Sequence, residues 1–141
     1  MTNYQSNQAL SQYGRVHTQG GIEAANPHQL AKMLFDGALS SIAGARGHMQ
    51  RREVAAKGES ISRSLGILSG LRVSLDFERG GELAERLDGL YEYMGHRLVY
   101  ANLHDDVAAL DEVADLLRPI RDAWAQIPAG LHDPRRAAEA A

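Results

Sequence analysis

Residues 83–101 read LAERLDGLYEYMGHRLVYA, with Leu83, Leu87, Leu90, Met94, Leu98 and Ala101 separated by steps of three and four. That alternation keeps one apolar seam turned toward partner helices and predicts a helix over roughly 82–102. Immediately before it stands Arg79-Gly80-Gly81, where the double glycine adopts positive φ freely and reads as a stop signal. The helix that this signal would end carries Ile61, Leu65, Leu68, Leu71 and Leu75 and spans roughly 54–75. Further upstream, Asn26-Pro27 combines a residue able to accept from an orphan N–H with one that has no N–H to waste. From there Leu30, Leu34, Ala38, Ile42, Ala45 and Met49 define a helix over roughly 27–50. Downstream, Asp105 and Asp106 favour the positive end of a following helix dipole. Val107, Leu110, Val113, Ala114, Leu117 and Trp124 then mark a helix over roughly 105–127. Pro119 lies inside it and predicts a kink or a break into two pieces, the kink being favoured because Leu117, Ile120 and Trp124 keep phase across it.

Four amphipathic segments joined by short connections make an all-α fold, an antiparallel up-down four-helix bundle over residues 26–127. Residues 1–25 are rich in polar residues and glycine and carry Leu10, Tyr13 and Val16 at three-residue spacing. They are expected to form a short N-terminal helix or flap that docks elsewhere, or to stay mobile. Residues 128–141, punctuated by Pro128, Gly130 and Pro134, are expected to be a disordered C-terminal tail.

Composition narrows the function. The chain has 141 residues, 44% of them apolar and 23% charged, enough for one ordinary core. A net charge of -3 gathers neither nucleic acid nor an anionic membrane, so no nucleic-acid partner and no direct membrane insertion are expected. Without cysteine there is no disulfide scaffold and no thiol chemistry, which fits a reducing compartment, and no export signal or spanning run is seen; a cytoplasmic location is expected. Six histidines invite a metal, but none completes the Glu-x-x-His pattern of di-iron bundles, and Glu92 with His96 reads as a solvated pair. Gly-x-Ser-x-Gly is also missing, and Gly80-Gly81 has no Walker lysine after it. No cofactor, no metal and no enzyme are expected.

What remains is apolar surface beyond the needs of four stripes. Phe35 and Leu39 widen the arc of the first helix, Tyr93 and Tyr100 flank the seam of the third, and Leu116, Ile120 and Ile127 edge the fourth. Together they predict a groove for a partner helix or extended peptide, which Leu10, Tyr13 and Val16 can fill from the chain's own N-terminus.

Several segments, in order, resemble the flagellar export chaperone family FliS. They are Asn26-Pro27-His28-Gln29-Leu30 with Met33-Leu34-Phe35-Asp36-Gly37-Ala38, then Lys57-Gly58-Glu59, Leu75-Asp76, and Glu78-Arg79-Gly80-Gly81-Glu82-Leu83-Ala84. Leu90-Tyr91-Glu92-Tyr93-Met94, Arg97-Leu98, Ala101-Asn102, Glu112-Val113, Leu116-Leu117 and Asp122-Ala123-Trp124 continue the match. The resemblance implies a cytoplasmic helical bundle that binds the C-terminal segment of flagellin, prevents its premature polymerisation and assists its delivery to the flagellar type III export gate, without catalysis. It also implies that Leu10 and Tyr13 stand at apolar-x-x-Tyr positions of a segment able to cover the binding surface. Pro119 departs from the family's pattern of a helix-continuing residue. The other readings are an adaptor bundle for another amphipathic secretion-related segment, and a metal-dependent helical enzyme.

Overall fold

The computed structural model describes residues 26–127. The chain forms four helices there: α1 (Pro27–Gln50), α2 (Val54–Val73), α3 (Phe77–His104) and α4 (Val107–Gln126). Each packs closely against its two neighbours in the ring α1–α2–α3–α4–α1, while the backbones of the diagonal pairs stand farther apart. The connections at 51–53, 74–76 and 105–106 are so short that successive helices must run antiparallel, which makes an up-down bundle. Leu10, Tyr13, Val16 and the 128–141 tail lie outside the described residues.

Local chemistry sets each helix start. Asn26 Oδ1 accepts from the Gln29 N–H at 2.7 Å, with Pro27 in the first turn where its missing donor is harmless. Asp76 Oδ1 accepts from the Glu78 and Arg79 N–H groups at 3.1 and 3.2 Å, and Asp106 Oδ1 from the Ala109 N–H at 3.2 Å. The third helix therefore begins at Phe77, ahead of the double glycine. Gly81 interrupts its helical geometry with φ 50 and ψ -124, a conformation that only glycine adopts without strain. The glycine pair is thus a phase break inside α3 and not the stop that ends α2.

That break corrects the reading of the seam. Leu83 is 65% exposed, whereas Ala84, Tyr91, Met94, Leu98 and Ala101 are buried. Leu87 and Leu90 are half-buried against the core. Of the two outcomes expected at Pro119, the less favoured break into two pieces does not occur, since α4 continues through it as one helix. Asp115, Arg118 and Pro119 all lie on the exposed side, where water can serve the Asp115 carbonyl that Pro119 leaves without a helical donor.

The core is built from Leu34, Phe35, Ile42, Ile61, Ile67, Met94, Leu98, Leu110, Val113 and Leu117, each at most 2% exposed. The second helix is buried on more than one side, because small Ser60 and Ser64 sit in the interior beside Ile61, Ile67, Leu68 and Leu71. The Ser64 hydroxyl donates to the Ser60 carbonyl at 3.0 Å, which spares a buried polar group.

Candidate functional site

A cleft of about 520 Å³ opens at the end of the bundle where the chain enters α1 and leaves α4. Pro27, Ala31 and Phe35 contribute from α1, and Leu71, Ser74 and Leu75 from the end of α2. The first half of α3 supplies Arg79, Gly80, Leu83, Ala84, Leu87 and Tyr91, while Ile120 and Trp124 come from α4. The lining is mostly apolar, with Asp76 and Arg79 as its charged members, 3.7 Å apart.

Two clamps hold the walls. The Trp124 indole N–H donates to the His28 carbonyl at 3.1 Å, and His28 Nε2 donates to the Trp124 carbonyl at 3.2 Å. Their rings lie nearly parallel, 5.8 Å apart. This reciprocal pair ties the start of α1 to the end of α4. On the other side, Arg72 forks onto Asp88 at 2.7 and 3.3 Å, with Glu92 at 3.7 Å, and binds α2 to α3. The guanidinium holds the Asp88 carboxyl below its usual range, and the carboxylate in turn raises Arg72.

Gly81 shapes the mouth. It lets the capped turn at 77–80 leave the line of α3, so that Arg79, Gly80 and Leu83 form one lip. Gly80 has to be small as well, because a Cβ there would come within 2.8 Å of the Ala84 Cβ. Tyr91 is 3% exposed, and burial pushes its hydroxyl up to about 12.

The residues singled out from the sequence fall into three groups. Phe35 and Ile120 meet in the cleft, but Phe35, read as surplus to the first stripe, is 2% exposed and belongs to the core. Leu39 and Leu116 are half-buried, packed against that core outside the cleft. Tyr93 and Tyr100 remain exposed on a different face of α3, as expected when Tyr93 follows the inward Tyr91 by two helical steps.

They are also more polar in their engagements than a simple apolar edge. The Tyr93 hydroxyl donates to Glu112 Oε2 at 2.6 Å, and Arg97 Nε donates to Oε1 of the same carboxylate at 2.7 Å. The Arg97 guanidinium lies 4.6 Å from the Tyr100 ring centroid, and the His104 ring lies 4.4 Å from Tyr100 on centroids. These donors hold Glu112 below its usual range, Tyr93 first and Arg97 second, and the same contact raises Tyr93. The cleft residues that sequence reasoning missed are Leu75, Leu83, Leu87, Tyr91 and Trp124, all of them assigned to core stripes or left unremarked. Asp76, a good N-cap ahead of Phe77, was the available signal that α3 starts before the glycines.

A second cavity, about 440 Å³, lies at the opposite end among His48, Met49, Arg52, Glu53, Val54, Lys57 and Asp105. Lys57 is 5% exposed, and its Nζ donates to the Asn102 carbonyl at 3.0 Å and to Asp105 Oδ1 at 2.5 Å. Among the described residues no cluster of three or more His, Asp or Glu side chains could hold a metal ion, and no helix is long and apolar enough to cross a membrane.

A family model described as flagellar protein FliS matches residues 9–130. The flagellar secretion chaperone FliSB of Pseudomonas aeruginosa is 47% identical over 116 residues, covering 82% of this chain and 92% of the relative. The flagellar secretion chaperone FliS of Salmonella typhimurium is 44% identical over 119 residues, or 84% of this chain and 88% of the relative. That of Campylobacter jejuni is 31% identical over 123 residues, or 87% and 93%. With the four-helix bundle, these matches make the chain a member of the FliS family of flagellar secretion chaperones, which are not enzymes.

Proposed function

We propose that the protein binds the C-terminal region of flagellin in the cytoplasm, keeps it from polymerising early and assists its delivery to the flagellar type III export apparatus. The observation that carries this reading is the apolar cleft at one end of a bundle whose relatives are flagellar secretion chaperones. An unassembled terminus that will later pack against other subunits exposes an apolar face, and seating that face on the chaperone removes it from competition. The segment must order as it binds, which lowers the net affinity and leaves the complex releasable at export.

The client contacts two surfaces in this reading. One is the cleft, with Leu83 and Leu87 at its α3 wall. The other is the outer face of α3, where Tyr93, Val99, Tyr100 and Leu103 are all at least 41% exposed and fall within one arc of the helix. Leu39, Leu116 and Ile120 border the α1 and α4 sides, and Leu10 and Tyr13 of the N-terminal segment compete for the same apolar surface.

Titration of the full chain with a flagellin C-terminal peptide, against an unrelated amphipathic peptide, tests the proposal. Wild type binds the flagellin peptide and not the control, and Leu83→Asp weakens binding about tenfold by placing a charge at an apolar lip. Because Leu83 is exposed, the variant's stability stays within about 0.5 kcal/mol of wild type. Equal affinity for both peptides would assign the chain to an adaptor that accepts amphipathic segments in general.

A further inference from the structure

One residue of the cleft lining carries a polar group without a hydrogen-bond partner among the described residues. Tyr91 is almost wholly buried and helps to line the cleft, yet no donor or acceptor among the described residues reaches its hydroxyl. The neighbouring polar groups do have partners: the Trp124 N–H bonds the His28 carbonyl, the Ser74 hydroxyl bonds the Leu71 carbonyl, and Tyr93, two residues on, bonds Glu112. A buried hydroxyl without a partner is destabilising, and such groups are uncommon unless something else satisfies them.

We propose that Tyr91 is the hydrogen-bonding point of the client cleft, its hydroxyl donating to a backbone carbonyl of the segment seated there. The inference rests on the client-binding reading above and adds how the cleft recognises what it binds. The phenol stays protonated far above neutral pH, so it keeps an O–H that an oxygen acceptor on the client can satisfy. A client carboxylate is disfavoured, because the cleft's apolar lining, Phe35, Leu71, Leu87 and Ile120 among it, would strip its water, and the one cation of that lining, Arg79, already faces Asp76. The carbonyls in the middle of a helix are already bonded to their own chain. The acceptor therefore comes from an extended stretch or from the last turn of a client helix, where carbonyls are free. The cleft accordingly takes a place where the client's helix is interrupted, with apolar side chains on either side of one free peptide group.

The test is Tyr91→Phe in the full chain, which removes the hydroxyl and keeps the ring. It is read by titration with the flagellin C-terminal peptide and by thermal unfolding without peptide. Affinity is expected to fall about tenfold, as for loss of one buried hydrogen bond. The free protein is expected to melt at the wild-type temperature or above it, since an unsatisfied group has been removed. Unchanged affinity would overturn the inference while leaving the client-binding reading intact. A melting temperature lowered by about 4 °C or more would overturn it too, by showing that the hydroxyl is already satisfied inside the free bundle. If wild type fails to bind the peptide, the client-binding reading falls and the assignment of Tyr91 falls with it.

Discussion

At the end where α1 turns into α2 and α3 into α4, a buried lysine reaches across and fastens the last turn, whereas at the other end an apolar cleft stands open between all four helices. The same bundle therefore spends its polar groups differently at its two ends. Lys57 holds the Asn102 carbonyl and Asp105, which stands in the left-handed region at φ 48, while Glu53 accepts from His48 at 3.0 Å and Arg51 at 2.7 Å. The bond to Asn102 occupies a helix-end carbonyl, and those to the Asp105 and Glu53 carboxylates brace the two tight turns. At the open end the clamps, His28 with Trp124 and Arg72 with Asp88, each tie one pair of neighbouring helices, α1 to α4 and α2 to α3, and the cleft stays open between those pairs. The lesson is that a bundle of this size can put its rigidity at one end and its recognition surface at the other.

The largest effect that would break this contrast is at Lys57. Lys57→Ala removes two hydrogen bonds from a buried ammonium and is expected to cost about 2–3 kcal/mol in denaturant unfolding. Peptide affinity at the far end is expected to hold. A loss of stability below about 0.5 kcal/mol would mean that the latch fixes nothing, and the closed end would then be no more rigid than the open one.

Glycine substitutions sharpen the comparison with effects of opposite sign. Gly58 lies beside Lys57 in regular helix with nothing within 4 Å of a Cβ, so Gly58→Ala should stabilise by about 0.5–1 kcal/mol. Gly81 has equal space but φ 50, and Gly81→Ala should destabilise by about 1–2 kcal/mol through backbone strain alone. Unfolding curves of the two variants check this directly. If both gain stability, the lip of the cleft does not depend on the break at Gly81.

Legibility in the sequence followed the same divide. The helix count, the cap at Asn26-Pro27 and the turn at Asp105-Asp106 are local signals, and all three stand where the spacing put them. The open end was misread because periodicity reports which face is apolar and not whether another element covers it. Leu83 looked like part of a seam, yet the nonhelical Gly81 lies just before it and leaves it exposed, while Phe35 looked surplus and is core. The role of Lys57 was invisible for another reason, since its partner stands 48 positions away and meets it only in the folded chain. Tyr91 was hidden inside Leu90-Tyr91-Glu92-Tyr93-Met94, where only three-dimensional accounting separates a hydroxyl with a partner from one without.

The smallest expected effect concerns acid. Glu53 at the closed end is held below its ordinary 4.5 by the hydrogen bond from His48 first and that from Arg51 second. A carboxyl lowered in the folded state contributes stability above its unfolded value, and that contribution disappears as pH falls through the folded one. Glu53→Gln should therefore melt slightly below wild type at neutral pH and converge with it as pH drops past 4.5. Because the side chain is about half exposed to solvent, the gap at neutral pH should also narrow when salt is raised. Asp88, lowered by Arg72 beside the cleft, behaves with the same sign from its ordinary 3.8, so the Asp88→Asn penalty should begin to shrink at a more acid pH than that of Glu53→Gln. Melting curves of the two variants at several pH values separate the ends. A Glu53→Gln penalty that persists undiminished in acid would show that its carboxylate charge is not what helps to close that turn, and would move the burden there to Lys57 alone.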